Sequence, residues 1–279
     1  MSLCLVAIFK NESHIIKEWI DHYLYQGVDR FFLIDNDSTD NYKESLQLYH
    51  QVEVVIDKDR YSQIESYNKH TLEKCKEYDW VIVCDLDEFI YARKGFKTIK
   101  DYLQTIDDSI SQIFIPWKIF GSNGYNTIDK DQPNSVIQSF TKRINYDKEN
   151  DFQGVIKEGN IKYSLTKCIV RTKYLLRFEV HGHWTSITNS ITTDNENHIH
   201  KNNCFSKIDE QILENSALHL NHYVIQSFQW FMKVKSIRGD VNSIYNNTCR
   251  NETYFANFDR SSNDIFDTEL YEIYTPMNI

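Results

Sequence analysis

Four apolar runs of strand length, starting near residues 3, 30, 52 and 80, alternate with stretches of helical spacing. That beat limits what the chain can fold into. Leu3–Phe9 is apolar throughout. Residues 12–26 then put Ile15, Ile16, Trp19, Ile20, Tyr23 and Leu24 on one helical face, with Asn11 or Ser13 suited to cap the start and Gly27 the end. Arg30–Ile34 reads as the next strand, followed by a helix to about Tyr49. Val52–Ile56, a polar helix over 63–77 and Trp80–Cys84 complete the series. Repeated βαβ units imply a doubly wound, mainly parallel α/β sheet with helices on both faces and right-handed crossovers. Ligands on such sheets sit at the carboxyl ends of the strands. Three polar clusters fall there: Lys10-Asn11-Glu12, Asp35 to Asp40, and Asp85 to Glu88.

After residue 90 the beat weakens. Ile113–Ile115 and Ile169–Arg171 read as strands, 129–160 as a polar loop, and 227–238 as a short amphipathic helix ending at Gly239. The last forty residues read as irregular and wrapped around the domain. With no clear linker, the expectation is one domain over 1–240 and an extension over 241–279 packed on it.

Composition removes several classes. A net charge of −9 over 279 residues opposes an electrostatic grip on nucleic acid. Six Cys with no C-x-x-C pair oppose a zinc ribbon. No stretch approaches the ~18 apolar residues of a membrane span. The apolar start has no basic leader, so the expected location is cytoplasmic.

Asp85-Leu86-Asp87 carries the chemistry. Alternate residues at a strand end point the same way, so both carboxylates can face one ligand. Adjacent carboxylates repel unless a cation bridges them, and hard oxygen donors suit Mg2+ or Mn2+. The plainer reading is an acidic turn after a buried strand. Asp35 to Asp40 makes an Asx-turn and helix cap in any case, with ligand contact as a possible addition, and Asn11-Glu12 offers the same pair of readings. Three histidine pairs could add a metal ligand through a neutral ring nitrogen: His181/His183, His198/His200 and His219/His222. Lys167, Arg171, Lys233 and Arg238 are the cations available to a diphosphate.

These motifs, taken in order, resemble a known group. Val6 to Glu12, Glu18-Trp19-Ile20-Asp21-His22-Tyr23 with Gly27-Val28, Leu33 to Asp40, and Trp80 to Phe89 are similar to glycosyltransferases of the family-2-like and family-92-like kinds. Trp117 with Phe120 to Gly124, and His222-Tyr223 with Ser227, Phe231, Lys233 and Gly239, resemble later landmarks of that group. The resemblance covers about residues 3–240. It implies a GT-A fold and sugar transfer from a nucleotide-sugar, of which a UDP-sugar is the leading expectation. The acceptor would be a glycan, a protein or a small molecule. The donor half would be about 1–110 and the acceptor half about 111–240. By position, Asp85 and Asp87 would hold Mn2+ or Mg2+ on the diphosphate, with Asp87 the central catalytic residue. Asn11, Glu12, Asp35, Asn36, Ser38 and Lys167 would line the nucleotide site, and Gly121 would border the donor sugar. The group often has Asp at the position of Asn36 and Gly at that of Asp37. His181, His183 or His222 would be the late metal ligand, with His181 and His183 favoured because they follow a strand. The implied reaction is an inverting displacement in which a carboxylate takes the acceptor's proton. Glu158, or Asp129, is the candidate base.

Two other readings compete. A nucleotidyltransferase would show a glycine-rich basic loop after the first strand, and Lys10-Asn11-Glu12-Ser13 has no glycine. A carbohydrate- or nucleotide-binding protein that has lost catalysis would be expected to lack Asp85 or Asp87, and both are present.

Overall fold

A computed structural model describes residues 1–60, 62–127, 135–148, 154–194, 204–238 and 250–274. The expectations placed on Asp129, His198, His200 and Gly239, and on a domain boundary near 240, lie outside them.

The first strand sets the architecture. All seven residues of β1 (Leu3–Phe9) are buried, as a strand covered on both faces requires. Leu3, Leu5, Ala7 and Phe9 point to one face, where Ile16, Trp19, Ile20 and Tyr23 of α1 (Ile16–Tyr25) cover them. Cys4, Val6 and Ile8 point to the other, against Tyr67 of α3 (Gln63–His70) and Cys75 of α4 (Leu72–Cys75). Between these helices lies α2 (Tyr42–Leu46), shorter than the helix to Tyr49 that the sequence suggests. The expected helix over 63–77 is interrupted at Thr71, whose hydroxyl donates to the Tyr67 carbonyl at 2.7 Å and competes with the helical ladder.

The strands β2 (Arg30–Asp35), β3 (Val52–Ile56) and β4 (Trp80–Val83) join β1 in parallel, in the order β3-β2-β1-β4. Phe9 pairs with Asp35, and Val6 with Val83, so the carboxyl ends of these strands share one edge. This is the α/β arrangement with helices on both faces that the sequence implies. Past β4 the sheet turns mixed. The long strand Ile161–Arg171 runs antiparallel to both β4 and β6 (Gln112–Ile119). Leu218–His222 then lies parallel to β6 and antiparallel to β5 (Glu88–Ala92). Glu88 therefore opens a strand.

Two later segments differ from the sequence reading. Residues 228–238 are helical, but Phe231–Lys235 forms a π-helical turn, a feature that recurs at functional sites. The C-terminal region is regular, with helices Glu252–Ser261 and Glu269–Tyr274. It packs on the domain through Leu270 in the main core and through charge. Lys118, 1% exposed, meets Asp267 at 2.9 Å and Glu269 at 3.7 Å. Arg143 pairs with the same Asp267 at 2.7 Å. Among the described residues no helix is long and apolar enough to cross a membrane.

Candidate active site

The ends of β1, β2 and β4 open into one cavity of about 330 Å³. Its lining includes Lys10, Glu12, Asn36, Asp85, Asp87, Lys167, His181, His222, Lys235 and Arg238. The first two polar clusters are tied together before they meet any ligand. The Asn11 N–H donates to Ser38 Oγ at 3.0 Å, and the Thr39 N–H to Asn11 Oδ1 at 2.7 Å. Asp35 accepts from the Ser38 N–H and the Tyr42 hydroxyl, both at 2.8 Å. Asp35, Ser38 and Asn11 thus build the loop, and none of the three lines this cavity. Asn36 does; its amide donates to the carbonyls of Asp57 and Asp59. Asp37 adopts φ 62°, a left-handed conformation in which a glycine rests without strain and which aspartate tolerates.

The third cluster supplies the acids. The Asp85 N–H donates to Glu88 Oε2 at 2.7 Å, closing a tight turn, and Trp19 Nε1 donates to the carbonyls of Asp85 and Glu88. Each aspartate meets a buried lysine. Lys167 Nζ lies 3.0 Å from Asp85 and 3.6 Å from Glu88. Lys235 Nζ lies 2.5 Å from Asp87 Oδ2. Burial opposes ionisation of Asp87, but Lys235 and His222 outweigh it and hold the carboxyl well below the usual range. Burial pushes Glu88 well above that range, with Lys167 opposing and Asp85 and Asp87 adding to the rise. Burial lowers Lys235, with Asp87 pulling against it. For Lys167 burial also lowers, yet Asp85 and Glu88 win and the ammonium is strongly favoured. Arg238 donates to Glu12 and, at 2.9 Å, to the Lys10 carbonyl.

The histidines separate. His222 Nε2 lies 3.6 Å from Asp87 Oδ1, and its ring sits 4.3 Å from that of Trp117. Its buried Nδ1 has no hydrogen-bond partner. His181 is in the cavity wall, with Nδ1 2.7 Å from the Thr166 carbonyl; burial and then Lys167 push it down to about 4. His183 is turned away. Its Nδ1 accepts from the Glu179 N–H at 3.1 Å, its ring packs edge-on to Phe178, and burial pushes it down to about 3. Both His181 and His222 thus line the cavity, and of the three histidines His222 is the one that approaches Asp87, to 3.6 Å.

Two further residues fall outside the cavity. Gly121 backs onto the C-terminal segment, where an added Cβ would meet the Ser262 carbonyl at 2.5 Å. Glu158 is exposed at the end of the strand Val155–Glu158. Lys233 lies in a neighbouring cleft, and Arg171 is held over Trp80, 4.2 Å from its ring. The sequence reading missed Lys235, as well as Tyr254 and Phe258, which wall the cavity from the C-terminal helix. The three-residue spacing of Lys235 and Arg238 was the available signal, since it puts both on one helical face.

Among the described residues no three His, Cys, Asp or Glu side chains converge as a preformed ion site. Asp87 Oδ1 and His222 Nε2 are one acid–imidazole pair that the cavity brings near each other. Two donors bound to a small divalent ion at ~2.1 Å and at right angles stand roughly 3 Å apart, a short closure from 3.6 Å.

The parallel α/β half thus brings paired carboxylates and buried cations to its strand ends, the place where open α/β sheets bind ligands. The model of glycosyltransferase family 92 matches residues 1–264, and the chain belongs to that family. A family 92 protein of Oryza sativa subsp. japonica is 27% identical over 156 residues, 51% of this chain and 25% of its own length. One of Arabidopsis thaliana is 29% identical over 93 residues, 32% of this chain and 16% of its own. The chain thus spans a quarter or less of these two relatives. Solved structures give weaker likenesses. HddC from Yersinia pseudotuberculosis has a TM-score of 0.35 at 11% identity, covering 78% of this chain and 98% of its own. Glucosyl-3-phosphoglycerate synthase from Mycobacterium tuberculosis, solved with Mn2+ and UDP, has a TM-score of 0.28 at 18% identity, covering 42% and 44%.

Proposed function

We propose that the chain transfers a sugar, with inversion, from a nucleoside diphosphate sugar, most readily a UDP-sugar, to an acceptor hydroxyl. One observation carries this reading. Asp87, 6% exposed at the end of β4, shares a cavity with Asn36 from the end of β2 and with Lys10 and Glu12 from the end of β1. The nucleoside lies along Phe9, Asn36 and Gln63, and the diphosphate reaches Asp87. Asp87 and His222, faced by Asp85, hold the divalent ion, Mg2+ or Mn2+. When bound, that ion supplies positive charge to the departing diphosphate. Lys235 and Arg238 present fixed cations to the same phosphates, and Lys167 keeps Asp85 ionised and in place. Trp117 and Tyr254 line the same cavity, and the acceptor enters it from the side of Lys10 and Arg238. Among the described residues, the carboxylates lining the cavity are Glu12, Asp85 and Asp87, and the acceptor's proton passes to one of them.

The test is calorimetric titration of UDP with Mn2+ or Mg2+, together with release of UDP from a panel of UDP-sugars. Asp87→Asn should lose ion-dependent UDP binding and UDP release while keeping a cooperative melt. Undiminished release by the variant would refute the reading.

A further inference from the structure

The cavity adjoins a second cleft of about 770 Å³, bounded by the loops after β1 and β2, by Arg60, and by the helical face of Trp230 to Arg238. Lys10, Asn36 and Arg238 line both spaces, so a molecule seated in the cleft can reach the cavity. The charge of this cleft runs against that of the molecule. In a chain of net charge −9, Lys10, Arg60 and Lys233 converge here from three separate segments. None of the three has an ion-pair partner among the described residues. Of the acids of the cleft, Asp37 pairs with Lys58 at 2.9 Å and feels Lys10 and Arg60 as well, while Asp40 accepts from the Ser13 N–H at 2.7 Å and leaves Oδ1 without a hydrogen-bond partner. A second, independent feature lies in the same wall. The buried Trp230 Nε1 has no hydrogen-bond partner, and its ring stands 5.7 Å from the Arg238 guanidinium and 5.1 Å from the His14 ring.

We propose that this cleft binds a phosphate group carried by the acceptor substrate, holding it so that the acceptor's hydroxyl enters the cavity across Lys10 and Arg238. The proposal rests on the nucleotide-sugar reading of the cavity, which already places the donor's diphosphate at Asp87, Lys235 and Arg238. A phosphate monoester carries about −1.5 to −2 charges at pH 7 and three acceptor oxygens. That suits a cleft on which Lys10, Arg60 and Lys233 converge. A lone carboxylate would leave most of that positive charge uncompensated.

The test is calorimetric titration of the full chain with inorganic phosphate, with UDP and Mg2+ saturating so that the donor cavity is filled. Acetate serves as the singly charged comparison. Phosphate should bind at least tenfold more tightly than acetate. The double variant Arg60→Ala/Lys233→Ala should weaken phosphate at least tenfold and leave UDP affinity within twofold. The proposal is overturned if phosphate does not bind, if the double variant binds it equally well, or if UDP is weakened to the same degree, which would give the cleft to the donor. Should UDP itself fail to bind, the reading of the cavity fails. The phosphate titration of parent and double variant without nucleotide then still decides the cleft.

Discussion

Asp87 and Lys235 lie 148 positions apart in sequence and 2.5 Å apart in the fold, each about one-twentieth exposed. The pair joins the end of β4 to the π-helical turn and fixes a carboxylate, ionised, in the wall of the cavity. Desolvating two charges is costly, and their attraction returns that cost only while both are present.

Lys235→Met removes one partner and leaves a buried, uncompensated carboxylate. Stability should fall by about 3–5 kcal/mol, read from urea denaturation at pH 7. Because the folded Asp87 is held below its ordinary value, the pair's contribution is present above about pH 4. It disappears as pH falls through the lowered folded value. The gap between parent and variant should therefore narrow in acid; a constant gap down to pH 2 would contradict the assignment.

His222→Ala should weaken Mn2+ at least tenfold in the presence of UDP, measured by calorimetry. His183→Ala should leave Mn2+ affinity within threefold and lower the melting temperature, because it empties a packed site against Phe178. The reverse ranking would restore the strand-following histidine as ligand.

His22 sets an acid limit of its own. It is fully buried, with Nε2 2.6 Å from the Ile90 carbonyl and Nδ1 meeting the Tyr274 hydroxyl. Burial pushes it down to about 3. The unfolded chain takes up this proton near pH 6.5 and the fold does not, so stability is complete above about 6.5 and drains away as pH falls toward 3. His22→Gln should flatten the dependence of unfolding free energy on pH between 6 and 4, and an unchanged slope would refute this.

Gly121→Ala brings a methyl against the Ser262 carbonyl and the Asn263 side chain. Overpacking of this kind costs about 1–3 kcal/mol. Because Phe258, four residues before Ser262, lines the cavity, UDP affinity should drop with stability. A variant as stable as the parent would show that the contact yields freely.

The first four strands were legible because their pattern is local. β1 to β4 are short apolar runs punctuated by polar turns, and periodicity alone places them. Asp85 and Asp87 were visible for the same reason. The remaining cavity residues arrive through long-range contacts that no local pattern encodes. Lys235 reads as one more basic residue on a surface helix until the π-helical turn buries it. Strand-following position favoured His181 and His183; His181 does reach the cavity wall and the ring of His183 serves the core, while His222 reaches Asp87 because Leu218–His222 pairs with β5 in a register that sets His222 opposite Glu88. Glu158 drew notice as an acid in a polar stretch, and the hairpin of Val155–Glu158 with Ile161–Arg171 carries it to the surface.

Lys118 limits where this polypeptide can be shortened. The two acids nearest it, Asp267 and Glu269, belong to the last described stretch of chain. A fragment stopped near residue 240 would keep the cation deep in the interior and discard its counter-charges, together with the Tyr254 and Phe258 wall. The terminal region is therefore a working part of the domain, and deletions meant to find a minimal catalytic unit should fail well before they reach the cavity's first strand.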